Sequence, residues 1–194
     1  MEIDATRMCE LLVGLPAVSV LGVGELPSGG LLTAIESRAT RPACPTCAEP
    51  AHIKERPAVE LVDLPVFGRP TRLLWRKHRW SCLQRSCPMG SRMAQDPRIA
   101  HRRMGLSDRA GRWATEQVGR CGRSVREPAA ELGCDWHTVN DAVSAYGDAL
   151  LAADEDRIQG VIALGLEPLS LRRHQHPGQT PDQRDLQLRA EGNL

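Results

Sequence analysis

Four cysteines are placed to do chemistry. Cys44 and Cys47 stand as C-x2-C in "ACPTCAEP", and Cys82 and Cys87 as C-x4-C in "SCLQRSCP". Each pair flanks a tight turn, so two thiolates of one turn can meet one ion. Two such turns offer zinc four sulfur ligands in tetrahedral geometry. A closed four-cysteine site of this kind is structural: it ties together a β module too small for a core of its own. The 34 residues between the pairs leave room for a hairpin that would bring the two turns together. His52 lies close enough in sequence to compete as a ligand, but a lone histidine near a loop more often has no such role. Cys9, Cys121 and Cys134 have no partner at ligand spacing and read as small packing residues.

The redox setting agrees with metal rather than disulfides. Glu2 and Asp4 open the chain, against the positive start of a secretory signal. The apolar stretch 11–24 is interrupted by Gly14, Pro16 and Gly22 and falls short of the roughly 18 residues a membrane span needs. The expectation is a cytoplasmic protein with reduced thiols and no membrane partner.

A net charge of +1 conceals a strong asymmetry. From Arg69 to Arg126 fifteen basic residues stand against three acids, a surplus of +12. From Glu127 to Val161 eight acids face Arg157 alone, leaving −7. The basic middle points to a polyanion, and double-stranded DNA is the expected partner.

The most telling stretch is "SVREPAAELGCDWHTVNDAVSAYG". Ser124 and Glu127 form an S-x-x-E capping box, with Val125, Ala129 and Leu132 turned inward. Gly133 ends that helix in the left-handed conformation of a sharp turn. Asp135 caps a second helix with Trp136, Val139, Val143 and Tyr146 on one face. His137, Thr138, Asn140 and Asp141 are then left outward. This is the pattern of a helix-turn-helix whose recognition helix enters the major groove. Asn140 has the groups to read adenine, and Thr138 to bond a base or touch a thymine methyl. His137 joins them as a candidate contact, and Arg112, Arg120, Arg123 and Arg126 are candidates to hold phosphates. Pro128 falls in the first helical turn, where its missing N–H costs least, yet it disfavours helical geometry at Glu127.

The elements that must position these groups are α+β. A short helix is expected over 6–12. Val18–Glu25 and Leu31–Ser37 read as a hairpin joined by "LPSGG". A second hairpin pairs 59–64 with 71–80 across "PVFGRP". "LSDRAGRWATEQVGR" reads as a helix capped by Ser107, with Ala110, Trp113, Ala114, Gln117 and Val118 on one face. Few aromatics, four Trp, one Tyr and one Phe, argue for small modules over one large core. The expected divisions are an N-terminal helix and hairpin over 1–40, a zinc-stabilised β module over 41–92, a basic connector over 93–106 and a helical helix-turn-helix domain over 107–150.

In order along the chain, "CPTC", "DLPVFGRPTRLLWRKHRWSC", "DRAGRWATEQVGRCGRSV" and "AAELGCDWHTVNDAV" resemble insertion-sequence transposases of the ISL-three type. The likeness runs from about Val18 to Pro168. It implies a zinc-binding module on Cys44, Cys47, Cys82 and Cys87, and a helix-turn-helix that binds the element's terminal inverted repeats. It further implies an RNase H-like core whose carboxylates hold two divalent metals for strand transfer. In the family, the first core strand reads Ala-Leu-Gly-Val-Asp-Glu. Here "ALGLEP" puts Glu167 at the position of the catalytic Asp and Pro168 where Glu is expected. The remainder, "SLRRHQHPGQTPDQRDLQLRAEGNL", is polar and without period. Residues 151–168 are therefore expected to be a linker ending in a remnant core strand, and 169–194 a disordered tail. The resulting expectation is a truncated, non-catalytic transposase fragment that binds DNA. An independent zinc-containing transcriptional regulator, a transposase completed by a second polypeptide or a frameshift, and an unfolded pseudogene product are the alternatives. Homo-oligomerisation and association with an intact transposase are both open.

Overall fold

Asp4 caps the first helix. Its carboxylate accepts the Thr6 N–H, and α1 runs Ala5–Val13 before ending at Gly14. The computed structural model describes residues 4–156 apart from residue 39. The expected core-strand remnant, Glu167 and the expected tail lie outside the described residues. Among the described residues, no helix is long and apolar enough to cross a membrane.

The fold is mixed α/β. β1 (Val18–Glu25) and β2 (Leu31–Ser37) form the expected antiparallel hairpin. β4 (Ala58–Val66) and β5 (Arg69–Arg76) form the second, with Phe67 and Gly68 at its tip. The two hairpins are not separate modules. β2 pairs in parallel with β5, Ile35 opposite Trp75, giving one sheet in the order β1-β2-β5-β4. The division expected at residue 40 therefore falls inside a continuous sheet, and the reason is apolar burial. Ile35, Leu61, Leu73 and Trp75 are all but inaccessible, and they pack with Val18, Val20, Ile99 and Ala100 in one core.

The strand expected over 71–80 also breaks. After Arg76 the chain leaves the sheet at Lys77 and His78 and re-enters a second sheet. That sheet, β3-β6-β7, is built from β3 (His52–Glu55), β6 (Arg79–Ser81) and β7 (Ser91–Met93). The break is held by polar contacts. The Lys77 N–H donates to the Pro57 carbonyl at 2.9 Å. The Lys77 ammonium donates to Gln95 Oε1 at 2.9 Å, and His78 Nε2 meets Glu36 Oε1 at 3.0 Å.

Three helices follow: α2 (Asp108–Gly119), α3 (Arg126–Leu132) and α4 (Trp136–Ala153). Ser107 caps α2 as expected, accepting the Ala110 N–H. Ala110, Ala114, Ala129, Leu132, Val139 and Ala142 form a second core with Leu106 and Val62. Leu61 and Val62, adjacent on β4, point to opposite faces, one into each core. β4 thereby joins the sheet to the helices, and the link has a polar pin. The Asp63 carboxylate has no solvent exposure. It accepts hydrogen bonds from Ser107 Oγ and from the Arg109 guanidinium, whose Nη1 also donates to the Val13 carbonyl.

Candidate metal centre and nucleic-acid interface

The metal centre is built by two turns. In the first, the Cys44 N–H donates to Glu49 O and the Ala48 N–H to Cys44 O, folding "CPTCAE" tightly on itself. In the second, the Cys87 N–H donates to Gln84 O, folding the loop after β6. The pairing that joins them is β3 with β6, His52 opposite Ser81. The longer hairpin expected to do this belongs to the larger sheet instead.

The four sulfurs all lie within 4.8 Å of one another. Cys44 and Cys87 sulfurs are 3.7 Å apart, and those of Cys47 and Cys82 are 3.5 Å apart. A zinc ion with Zn–S of about 2.3 Å at the centre of a tetrahedron requires sulfurs about 3.8 Å apart. A disulfide would require about 2.05 Å. The surroundings also suit thiolates. The backbone N–H groups of Thr46 and Cys47 point at the Cys44 sulfur and pull its pKa down to about 6. At Cys47 the Glu49 N–H pulls down, but burial and the neighbouring thiols prevail and push it up to about 12. One thiolate forms readily and then opposes the next, so the cluster needs a cation to hold its negative charge. The N–H of Met89 similarly favours a Cys87 thiolate, while burial and Cys44 oppose it. These N–H groups act as an outer layer that orients the ligands.

His52 lies outside the sulfur cluster, with its ring nitrogens against the Arg41 guanidinium. Cys9 packs on the first core and Cys134 on the second, as expected. Cys121 does not pack. It follows α2 in an exposed turn, past the end of the helix's buried face.

The second candidate surface is the start of α4. α3 has Ala129 and Leu132 buried and Val125 partly so, as expected. The Ser124–Glu127 pair closes in altered form: the Ser124 N–H and hydroxyl both donate to Glu127 Oε2 at 2.8 Å. Glu127 is helical despite Pro128, whose buried ring sits in the first turn. Gly133 then takes φ +63° and ψ +42°, the left-handed turn the sequence requires. A Cβ there would lie 2.9 Å from Pro70 Cβ, so the turn rests directly on β5. Arg72 reinforces this by donating to the carbonyls of Leu132 and Gly133. At the far end, Gly111 of α2 admits the Tyr146 ring, which a Cβ would approach to 2.6 Å.

Asp135 caps α4, accepting the Thr138 N–H at 2.9 Å and the Thr138 hydroxyl at 2.8 Å. These bonds hold its carboxyl below the usual range. Thr138 is half-buried and occupied with the cap, whereas His137 and Asp141 are exposed and Asn140 half-buried. Trp136 departs from expectation. It is 44 % exposed rather than on the buried face, because the core closes at Leu132 and Val139. Its ring stacks instead on His137, centroids 3.7 Å apart.

Three of the four arginines expected beside this surface have acidic neighbours. Arg112 pairs with Asp108 at 2.8 Å, and Arg120 with Glu116 at 3.4 Å. Arg123 bonds Gln117 and Glu131, joining the end of α2 to α3. Arg126 is exposed, with no acidic partner among the described residues. Two further exposed arginines, Arg102 and Arg103, were counted in the basic segment but not among the expected DNA contacts, because they precede the helices in the basic connector.

Residues 40–87 match a family model described as the zinc-finger of transposase IS204/IS1001/IS1096/IS1165. The match covers both cysteine turns and supports a relation to ISL-three-type transposases over that segment. Together with the sulfur geometry it identifies zinc as the structural ion of Cys44, Cys47, Cys82 and Cys87. No curated protein and no solved structure matches the chain.

Proposed function

We propose that this chain is a zinc-stabilised DNA-binding module of transposase type, in which α3, the Gly133 turn and α4 act as a helix-turn-helix. The observation that carries the reading is the start of α4. A capped helix follows a left-handed glycine whose turn is seated on β5 through Pro70 and Arg72, and presents His137, Asn140 and Asp141 at its N-terminal end. A recognition helix meets base edges with the same end. Asn140 is the group suited to adenine and His137 to an acceptor or a phosphate. Zinc has no chemical step in this reading. It holds β3, β6 and the two cysteine turns together. The proposed target is the terminal inverted repeat of an insertion sequence, and the proposed action is occupancy of that DNA without strand transfer by these residues.

Fluorescence anisotropy with a labelled duplex carrying the DNA that flanks the gene, against a scrambled duplex at fixed salt, tests it. Tighter binding to the flanking DNA, lost on zinc chelation, is the expected result. Equal weak binding to both duplexes, indifferent to the chelator, overturns specific recognition. Preference for a promoter unrelated to any inverted repeat would favour a transcriptional regulator instead.

A further inference from the structure

α4 presents a chemical difficulty for a helix that meets DNA. Its eighteen residues include no lysine or arginine, while Asp141 and Asp148 are exposed on it. The phosphates on either side of a groove must then be neutralised by other elements. Arg112, Arg120 and Arg123 are partly neutralised by Asp108, Glu116 and Glu131, which leaves Arg126 as the one expected arginine without an acidic partner among the described residues.

The loop 101–105 is differently placed. At one end the His101 ring meets the Tyr146 ring edge-on, 5.6 Å between centroids, and its Nε2 lies 3.4 Å from Asp108. At the other end Gly105 lies against Thr138, which a Cβ would approach to 3.1 Å. The Gly105 carbonyl accepts the Val62 N–H at 2.8 Å, fastening the loop to β4. The loop is thus tied to α4 at two points, eight residues or about 12 Å apart along the helix. Arg102 and Arg103 lie between the ties. Both are exposed, neither has an acidic partner among the described residues, and Arg103 is held at φ +66°.

We propose that Arg102 and Arg103 form a phosphate clamp beside α4, binding the sugar-phosphate backbone of duplex DNA and setting how the start of the helix faces the groove. The proposal rests on the DNA-binding reading above and names cations that reading lacks. A contact of this kind is independent of base sequence and releases counterions, so it is measured by salt dependence.

The experiment is anisotropy of the full zinc-loaded chain with a labelled duplex of mixed sequence over a salt series. Each phosphate contact contributes about 0.9 to the slope of log K against log salt. The double variant R102Q/R103G should flatten the slope by about 2 and weaken binding by tens of fold near 0.1 M salt. Glycine suits the left-handed position, and unchanged circular dichroism and zinc content would show the fold intact. R102K/R103K, which keeps both charges, should restore most of the slope. R7Q, on α1 and paired with Glu10, serves as the comparison and should change the slope by less than about 0.5. A double variant with the parental slope, or an equal loss in R7Q, overturns the clamp while DNA binding stands. A parent chain that does not bind duplex at all overturns both the clamp and the reading beneath it.

Discussion

Replacing Gly133 with alanine tests how α4 is set in place. Two penalties combine there. The residue sits at φ +63°, where an L side chain costs about 1–2 kcal/mol. Its new Cβ would also lie 2.9 Å from Pro70 Cβ and 3.1 Å from Pro70 Cγ. A proline ring on a paired strand yields little, and overpacking of this kind costs about 1–3 kcal/mol. G133A should therefore lose about 3 kcal/mol, lowering Tm by roughly 6–12 °C for a chain of this size. Gly122 supplies the control. It has nearly the same φ, +66°, but no heavy atom within 4 Å of its added Cβ. G122A should lose only the conformational part, about 1–2 kcal/mol. The assay is urea unfolding of the zinc-loaded protein followed by far-UV circular dichroism. If G133A costs no more than G122A, the turn does not rest on Pro70 and the seating of the α3–α4 turn on β5 is wrong.

Three further outcomes follow from the same contacts. R109A should destabilise the fold by about 3–5 kcal/mol, since it leaves the fully buried Asp63 carboxylate without its charge partner; D63L/R109M should recover part of that loss in the same unfolding assay. The Asp135 and Glu127 carboxyls are held low, chiefly by bonds from Thr138 and Ser124 respectively, so the stability they supply is present above about pH 4 and lost as pH falls through their folded values. An acid titration of D135N should accordingly show a smaller decline than the parent protein. Zinc analysis should find one ion per chain, and C44S or C82S should abolish it; retention of a full equivalent by either variant would contradict a four-sulfur site.

Local signals were the legible ones. The cysteine spacing and the Gly133 and Asp135 signals depend on neighbours a few residues apart, and the structure follows them. The β1–β2 hairpin was equally plain, because its two apolar runs flank a glycine-rich turn. The parallel pairing of β2 with β5 was not legible, because it joins segments some forty residues apart through partners that only burial selects. That pairing turned two expected modules into one sheet and left the zinc turns to a shorter pair, β3 with β6. Trp136 was misplaced for a related reason. Helical periodicity gave its direction but not the place where the core stops. The arginines show the remaining gap: composition marked the segment as basic, while only the structure distinguishes Arg123, engaged with Glu131, from Arg102 and Arg103.

The measurement that most directly tests the account is a map of backbone amide shifts in the zinc-loaded chain as a duplex carrying the flanking DNA is added. The account predicts the largest changes at residues 136–141, with a second group at 101–105 and Arg126, and little change across β1 and β2. Changes concentrated on the β1–β2 hairpin or at the zinc turns, with α4 unaffected, would contradict the claim that this helix is the one that meets DNA.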